Sequence, residues 1–220
     1  MVTMGRNITR AQKEARRADL SGSGPTRRGE SDAAGALSPF QLFGEAMLTG
    51  ILVAVASVPI VTLPVALAAG SRHLTAFIRG DASPWATFWR EIRAGLAGSA
   101  GLGLGLVALS LVFVANTALA RTGALPGGVA IAWITGSVTV VFATAIALAG
   151  TAWDPETGWI PALRAVPALA GADPLGTLLF VVSIVLVVFL TMVLVPLIVP
   201  LLGCLALAMV AIPMRRGVAG

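Results

Sequence analysis

Long apolar runs separated by short polar segments dominate this chain from about residue 40 onwards. Residues 95–118, 127–150 and 174–213 contain no charged side chain. A helix needs about 20 apolar residues to cross a hydrocarbon core of about 30 Å. The first two runs therefore each predict one membrane helix, and the third, at about twice that length, predicts two. Residues 40–58 form a further run that is long enough for one crossing.

Two prolines interrupt the apolar sequence after this first run, in the stretch SVPIVTLP that contains Pro59 and Pro64. Proline removes a backbone hydrogen bond and clashes with the preceding helical turn, but it favours the first turn of a new helix. The pattern favours a hairpin whose second limb runs from Pro64 to Arg79. The alternative is one kinked span over residues 47–70, followed by a surface segment. A similar break, VPLIVP at residues 195–200, divides the last run.

The distribution of basic residues bears on this choice, because Lys and Arg near membrane helices concentrate on the cytoplasmic side. With six crossings, 14 of the 15 Lys and Arg residues fall on one side, and Arg121 alone falls on the other. With five crossings they divide eight to seven. The charge pattern therefore favours six crossings with both termini in the cytoplasm. A count restricted to residues close to the spans leaves a five-crossing chain open.

Composition indicates an integral membrane protein, since 57% of the residues are hydrophobic and 11% are charged. Soluble domains are roughly half apolar and a quarter charged. We predict an all-α, polytopic transmembrane helical bundle of five to six segments over residues 38–216, with amphipathic interfacial connector helices. Residues 1–37 are basic and poor in large apolar side chains, which predicts a disordered tail. The first apolar run begins too late for a cleaved signal peptide, so we expect it to be retained.

The connector over residues 83–94 has an aromatic face and a charged face. The first comprises Trp85, Phe88, Trp89 and Ile92, and the second comprises Arg90, Glu91 and Arg93. We expect Ser83 to cap an amphipathic helix that lies in the cytoplasmic interface. It is either a docking surface for a cytoplasmic partner or a membrane-anchored connector. In a second connector, Asp154 and Glu156 precede a short helix expected from Pro161, and we ask whether they face Arg90 or Arg93.

No constellation of side chains with catalytic chemistry is apparent in the sequence. With one Cys and one His, the chain cannot form an internal disulfide, and a Cys/His zinc site is disfavoured. His73 has no obvious partner for a hydrolase triad. We therefore expect a protein that is not an enzyme and binds no metal or cofactor. The long spans lack ionisable side chains, which disfavours an ion-driven carrier.

Two features that superficially suggest binding motifs have simpler explanations. The basic tail follows from the expected topology, so we predict no nucleic-acid partner. The stretch GSAGLGLGL lacks the spacing and the lysine of a phosphate-binding loop. Gly101 and Gly105 instead fit the small-xxx-small pattern that allows membrane helices to approach closely.

The first third of the domain resembles the YesL-like family of bacterial integral membrane proteins, a domain of unknown function. Three motifs carry the resemblance: the break with Pro59, Thr62 and Pro64; the turn Arg79-Gly80-Asp81; and the aromatic segment with Phe88, Trp89, Arg90 and Arg93. The resemblance extends over residues 40–216 but is only compositional after the first third. It implies a multi-pass protein of the bacterial cytoplasmic membrane, associated with carbohydrate uptake and utilisation, without an established activity.

Two functions are compatible with these observations. The first is a non-enzymatic membrane component that assists or regulates carbohydrate uptake, with the amphipathic segment 83–94 as a docking face for sugar-transport proteins or a cytoplasmic partner. The second is a small transporter or permease-like subunit for a neutral solute such as a sugar, with the proline breaks along the path. We prefer the first.

Overall fold

The computed structural model describes residues 39–81, 84–123 and 126–218, with side chains up to Arg215. The predicted disordered tail, residues 1–37, and the predicted cap Ser83 lie outside the described residues. The described part contains seven α-helices and no strand. In chain order they are α1 (Pro39–Ala56), α2 (Leu63–Arg79), α3 (Trp85–Thr122), α4 (Gly128–Ala152), α5 (Trp159–Ala172), α6 (Pro174–Val193) and α7 (Ile198–Val218). All except α5 are long and apolar enough to cross a membrane. The predicted all-α, multi-pass bundle is thus confirmed.

The first proline break is a helical hairpin, as the sequence favoured. Helix α1 ends at Ala56, a 3-10 turn covers Ile60–Thr62, and α2 begins at Leu63 with Pro64 in its first turn. The second limb folds back on the first, because Gly70 of α2 lies against Val53 and Thr49 of α1. A single kinked span is therefore excluded. The second break has the same form, with a 3-10 turn over Val195–Leu197 between α6 and α7.

Successive membrane helices run antiparallel. Val61, in the turn just before α2, meets Gly103 of α3, and Arg72 of α2 meets Glu91 of α3, so the chain directions of these two helices oppose each other. Contacts between α3 and α4, between α6 and α7, and between α1 and α7 show that each of these pairs is also antiparallel. Six antiparallel segments return the chain to its starting level. Pro39 and Arg215 therefore lie at the same end of the bundle.

The amphipathic segment is not a separate connector helix, and in this respect the prediction was wrong. It forms the first turns of α3, a continuous helix of 38 residues. Its aromatic face is also divided: Phe88 and Ile92 are buried among neighbouring helices, whereas Trp85 and Trp89 remain exposed. A glycine does follow at position 95, but it lies inside α3, where the side chains of Val65 of α2 and of Trp153 occupy the place that its own side chain would take.

Close helix approach occurs at a different glycine from those predicted. A Cβ atom added at Gly101 would meet nothing within 4 Å, and one at Gly105 would lie 3.2 Å from the ring of Phe142. At Gly103, in contrast, the backbone of Val61 occupies the place of a side chain. The first hairpin thus touches α3 through its tip, and only glycine at position 103 leaves room for that contact.

The short helix α5 is a true connector, and two tryptophans attach it to the bundle. Trp153 and Trp159 stack with ring centroids 5.6 Å apart. The indole Nε1 of Trp159 donates a hydrogen bond of 3.1 Å to the carbonyl of Gly95. Helix α5 begins at Trp159, two residues before the expected start at Pro161. These contacts hold the end of α4 against the first half of α3.

Candidate functional site

The nine residues singled out from the sequence form two separate groups. Pro59, Thr62 and Pro64 lie at the tip of the first hairpin. The remaining six, Arg79, Gly80, Phe88, Trp89, Arg90 and Arg93, lie where α2 ends and α3 begins. The length of α2, about 26 Å at 1.5 Å per residue, separates the two groups. They therefore cannot form one site.

Hydrogen bonds within the first tip engage several of its own backbone carbonyls. The Thr62 hydroxyl donates to the carbonyls of Ala56 and Pro59, the latter at 2.7 Å. The Thr62 amide also donates to the Pro59 carbonyl, at 2.7 Å. These carbonyls are acceptors that a broken helix leaves without a regular partner. The tip thus closes on itself and offers no obvious row of free groups to a passing solute.

The turn after α2 has the geometry expected of a helix terminus. Gly80 adopts φ 76°, and its amide bonds to the carbonyl of Phe77. The Asp81 amide donates to the carbonyl of Ala76 at 2.9 Å. This pair of bonds is a Schellman motif, which explains the glycine between Arg79 and Asp81 as a backbone requirement.

An ion-pair cluster joins three elements at the end of the bundle where α1 begins. Arg72 of α2 donates through Nε to Glu91 of α3 at 3.0 Å, and through Nη1 to Asp154 after α4 at 3.1 Å. Its guanidinium carbon lies 6.0 Å from the ring centroid of Trp153. Asp154 thus pairs with Arg72. Of the two arginines considered from the sequence, Arg90 lines a neighbouring pocket together with Asp154 and Glu156, and Arg93 does not. Arg72 thereby links the first hairpin to the α3–α4 pair.

A second polar pair lies beside the first. Nε2 of His73 is 2.8 Å from Oε1 of Glu45 on α1, and both side chains are largely buried. The His73 ring also meets the edge of Phe88, with centroids 6.5 Å apart. Sequence analysis did not identify Glu45 as a partner of His73. Phe88, predicted as part of a surface, instead forms the wall behind this pair.

We call this end of the bundle the charged face. It comprises Glu45, Arg72, His73, Arg79, Asp81, Arg90, Glu91, Arg93, Asp154, Glu156, Arg164, Asp173 and Arg215. Asp173 caps α6 through the amide of Gly176 and pairs with Arg215 at 3.0 Å, which joins the start of α6 to the end of α7. Of the described ionisable side chains, Arg121 alone lies at the other end. The charged face is therefore the one region of concentrated polar chemistry within the described ranges.

A pocket of about 360 Å³ opens into the charged face beside Arg72. Small-molecule sites generally measure about 300–1,000 Å³ and combine apolar walls with a few placed polar groups. Here the rings of Phe88 and Trp153 form apolar walls. Four hydroxyls join the charged groups: those of Ser71, Thr75, Thr87 and Thr151. Among the described residues, no group of three or more His, Cys, Asp or Glu side chains is placed to hold a metal ion.

Sequence reasoning identified the margin of this pocket but missed its centre. Arg79 and Phe88 line it, whereas Arg90 and Arg93 are exposed on α3 and do not line it. A signal for the centre was present, because Glu45 of α1 and the adjacent Arg72 and His73 of α2 lie at matching depths in two antiparallel limbs. Ionisable residues within membrane segments usually pair with one another.

Comparison with known proteins finds no family model, no curated protein and no solved structure that matches this chain. The resemblance to the YesL-like family consequently remains a prediction from the residues that carry it.

Proposed function

We propose that this multi-pass protein is a non-enzymatic component that assists or regulates carbohydrate uptake in the bacterial cytoplasmic membrane, and that it works through the charged face. The observation that carries this proposal is the 360 Å³ pocket with its paired charges, hydroxyls and aromatic walls. The carbohydrate context comes from the family resemblance alone. The pocket supplies a place where a hydroxyl-rich ligand or a polar segment of a transport protein would find donors, acceptors and an apolar surface.

The proposed orientation has the charged face in the cytoplasm and both termini on that side. Six described arginine side chains lie at this face against Arg121 at the other. Retention of Lys and Arg on the cytoplasmic side accounts for such an imbalance. Reporter fusions at the two termini test this orientation. Activity of a reporter that requires export, fused at either end, would overturn it.

The alternative is a small permease-like subunit for a neutral solute such as a sugar. Its support is the irregular backbone at the two proline breaks, since broken membrane helices form substrate sites in many transporters. The internal hydrogen bonds of Thr62 count against it, because its hydroxyl already engages the carbonyls of Ala56 and Pro59 at the break. We therefore favour the assisting role.

Sugar uptake and reconstituted flux separate the two functions. Deletion of the gene should reduce uptake of a transported sugar by cells, whereas the purified protein in liposomes should move no labelled sugar. Arg79→Glu reverses a charge at the pocket, and Arg121→Glu makes the same change at the opposite end. The first variant should fail to restore uptake and the second should restore it. Flux of labelled sugar through liposomes would establish the permease. If both variants restore uptake, or both fail to restore it, the charged face has no specific part in the function.

A further inference from the structure

The first hairpin is shorter than the helices beside it. Its tip meets α3 at Gly103, through the backbone of Val61. Helix α3 continues for another 19 residues to Thr122, which is about 28 Å at 1.5 Å per residue. The α3–α4 pair therefore extends far beyond the point where α1 and α2 stop.

The depth of the tip follows from the polar groups of the charged face. Trp153 and Asp154 follow directly after α4 and lie at the level of Arg72. Tryptophan and charged side chains concentrate at membrane interfaces, so we take this level as the edge of the hydrocarbon. From Arg72 to Val61, the tip residue that meets α3, is eleven residues, or about 17 Å. A hydrocarbon core is about 30 Å thick. The hairpin tip accordingly lies near the middle of the bilayer.

The side chains of the two kinds of turn agree with this difference in depth. The proline tip exposes Val58 and Ile60, which are 78% and 61% exposed. The turn after α3 instead presents Arg121, Thr122 and Gly123. Apolar exposure with internally bonded backbone suits hydrocarbon, because unsatisfied backbone groups are excluded there. A charged turn suits water.

An apolar cavity of about 380 Å³ lies beneath the short hairpin. The start of α2 forms its roof, and it continues along α3 from Leu106 to Val114, past the level of the tip at Gly103. Helices α4, α6 and α7 complete the walls, with Ala143 among the lining residues of α4. Its polar lining groups are Ser110 and Thr139, and the Thr139 hydroxyl already donates to Thr135.

We propose that the first hairpin is re-entrant and that the cavity beneath its tip holds a hydrocarbon chain of a bilayer lipid. The cavity lies between the level of Trp153 and the level of Arg121, which is the depth of lipid chains. Its lining is apolar, so a chain fills it without loss of hydrogen bonds. An empty space of this size would forfeit the packing contacts of its walls.

Spin-label accessibility in liposomes tests the depth of the tip. The label is attached to Val58→Cys or, as the control, to Thr122→Cys, with Cys204 replaced by alanine in both. Oxygen concentrates in the bilayer centre, whereas a neutral nickel chelate remains in water. The label at position 58 should collide with oxygen and be protected from nickel, and the label at position 122 should show the reverse. Equal access of nickel to both positions would mean that the hairpin crosses completely.

Photo-crosslinking tests the occupant. The probe is phosphatidylcholine with a diazirine near the end of one acyl chain, reconstituted with the protein and mapped by mass spectrometry. Labelling should concentrate on the cavity segments of α3 and α4. Ala143→Phe should reduce it several-fold, whereas Ala130→Phe, on an exposed position of the same helix, should leave it unchanged. If Ala143→Phe does not fold, Ala143→Val should give a smaller loss. Uniform labelling that neither substitution changes would refute the lipid site.

Discussion

The contact between Arg72 and Glu91 should make a measurable contribution to the stability of the bundle, and Arg72→Gln tests it. The glutamine retains much of the aliphatic stem but removes the charge. The Glu91 side chain is 12% exposed, and that of Arg72 is 39% exposed. A hydrogen bond to a charged group contributes about 1.5–3 kcal/mol, and the solvent around Arg72 reduces this to the lower part of the range.

The second contact of Arg72 adds little. Asp154 is 42% exposed, and pairs of this kind contribute about 0–1 kcal/mol. We therefore expect Arg72→Gln to lower the free energy of unfolding by about 2 kcal/mol, mostly because Glu91 loses its partner in a largely buried position. Asp154→Asn should lower it by less than about 1 kcal/mol.

Reversible unfolding in mixed micelles, driven by increasing SDS and followed by tryptophan fluorescence, measures these changes. Arg121→Gln is the matched control, because it removes the same side chain from an exposed position, where substitutions usually change stability by about 0.5 kcal/mol or less. A double-mutant cycle with Glu91→Gln should give a coupling of about 1 kcal/mol. If Arg72→Gln is no more destabilising than Arg121→Gln, or if the coupling is zero, the contact between Arg72 and Glu91 does not stabilise the bundle.

Three further predictions use the same unfolding assay. Gly103→Ala should destabilise the protein by forcing the hairpin tip away from α3, whereas Gly101→Ala, in open space on the same helix, should stabilise it by up to about 1 kcal/mol; equal effects would contradict the close approach. Trp159→Phe should lower the free energy of unfolding by about 1 kcal/mol, because it removes the indole hydrogen bond. Trp153→Phe should lower it by less, because the indole nitrogen of Trp153 has no protein acceptor. The opposite order would contradict the structure. Thr62→Val should cost about 1 kcal/mol and Thr62→Ser almost nothing; similar losses would assign the effect to packing instead of the hydroxyl.

The membrane class and the first hairpin could be predicted from sequence because they depend on local rules. Apolar run length fixes where a helix crosses, and the two prolines of the first tip fix where a helix must stop. The asymmetric distribution of Lys and Arg favoured an even number of membrane segments. The contacts of Glu91 with Arg72 and of Asp173 with Arg215, each between antiparallel helices, agree with an even number.

The centre of the site was not predictable to the same degree, because it depends on contacts between distant parts of the chain. Arg72 meets Asp154 across 82 residues, and no local pattern around either residue specifies that register. The extension of α3 was missed for a related reason. In the sequence, Arg90 and Arg93 followed by Gly95 have the pattern of a helix end. In the structure, Gly95 instead lies within the continuous helix, where Val65 and Trp153 pack closely against it.

The arrangement around Arg72 also sets an order for biogenesis. Arg72 emerges from the ribosome 82 residues before Asp154, an interval of roughly 4–16 s at ordinary synthesis rates of about 5–20 residues per second. During that time the nascent first hairpin carries a cation without its full set of carboxylates. Its ion-pair cluster is complete only after α3 and α4 have inserted, and the final seating of the hairpin is therefore a late, post-insertion step.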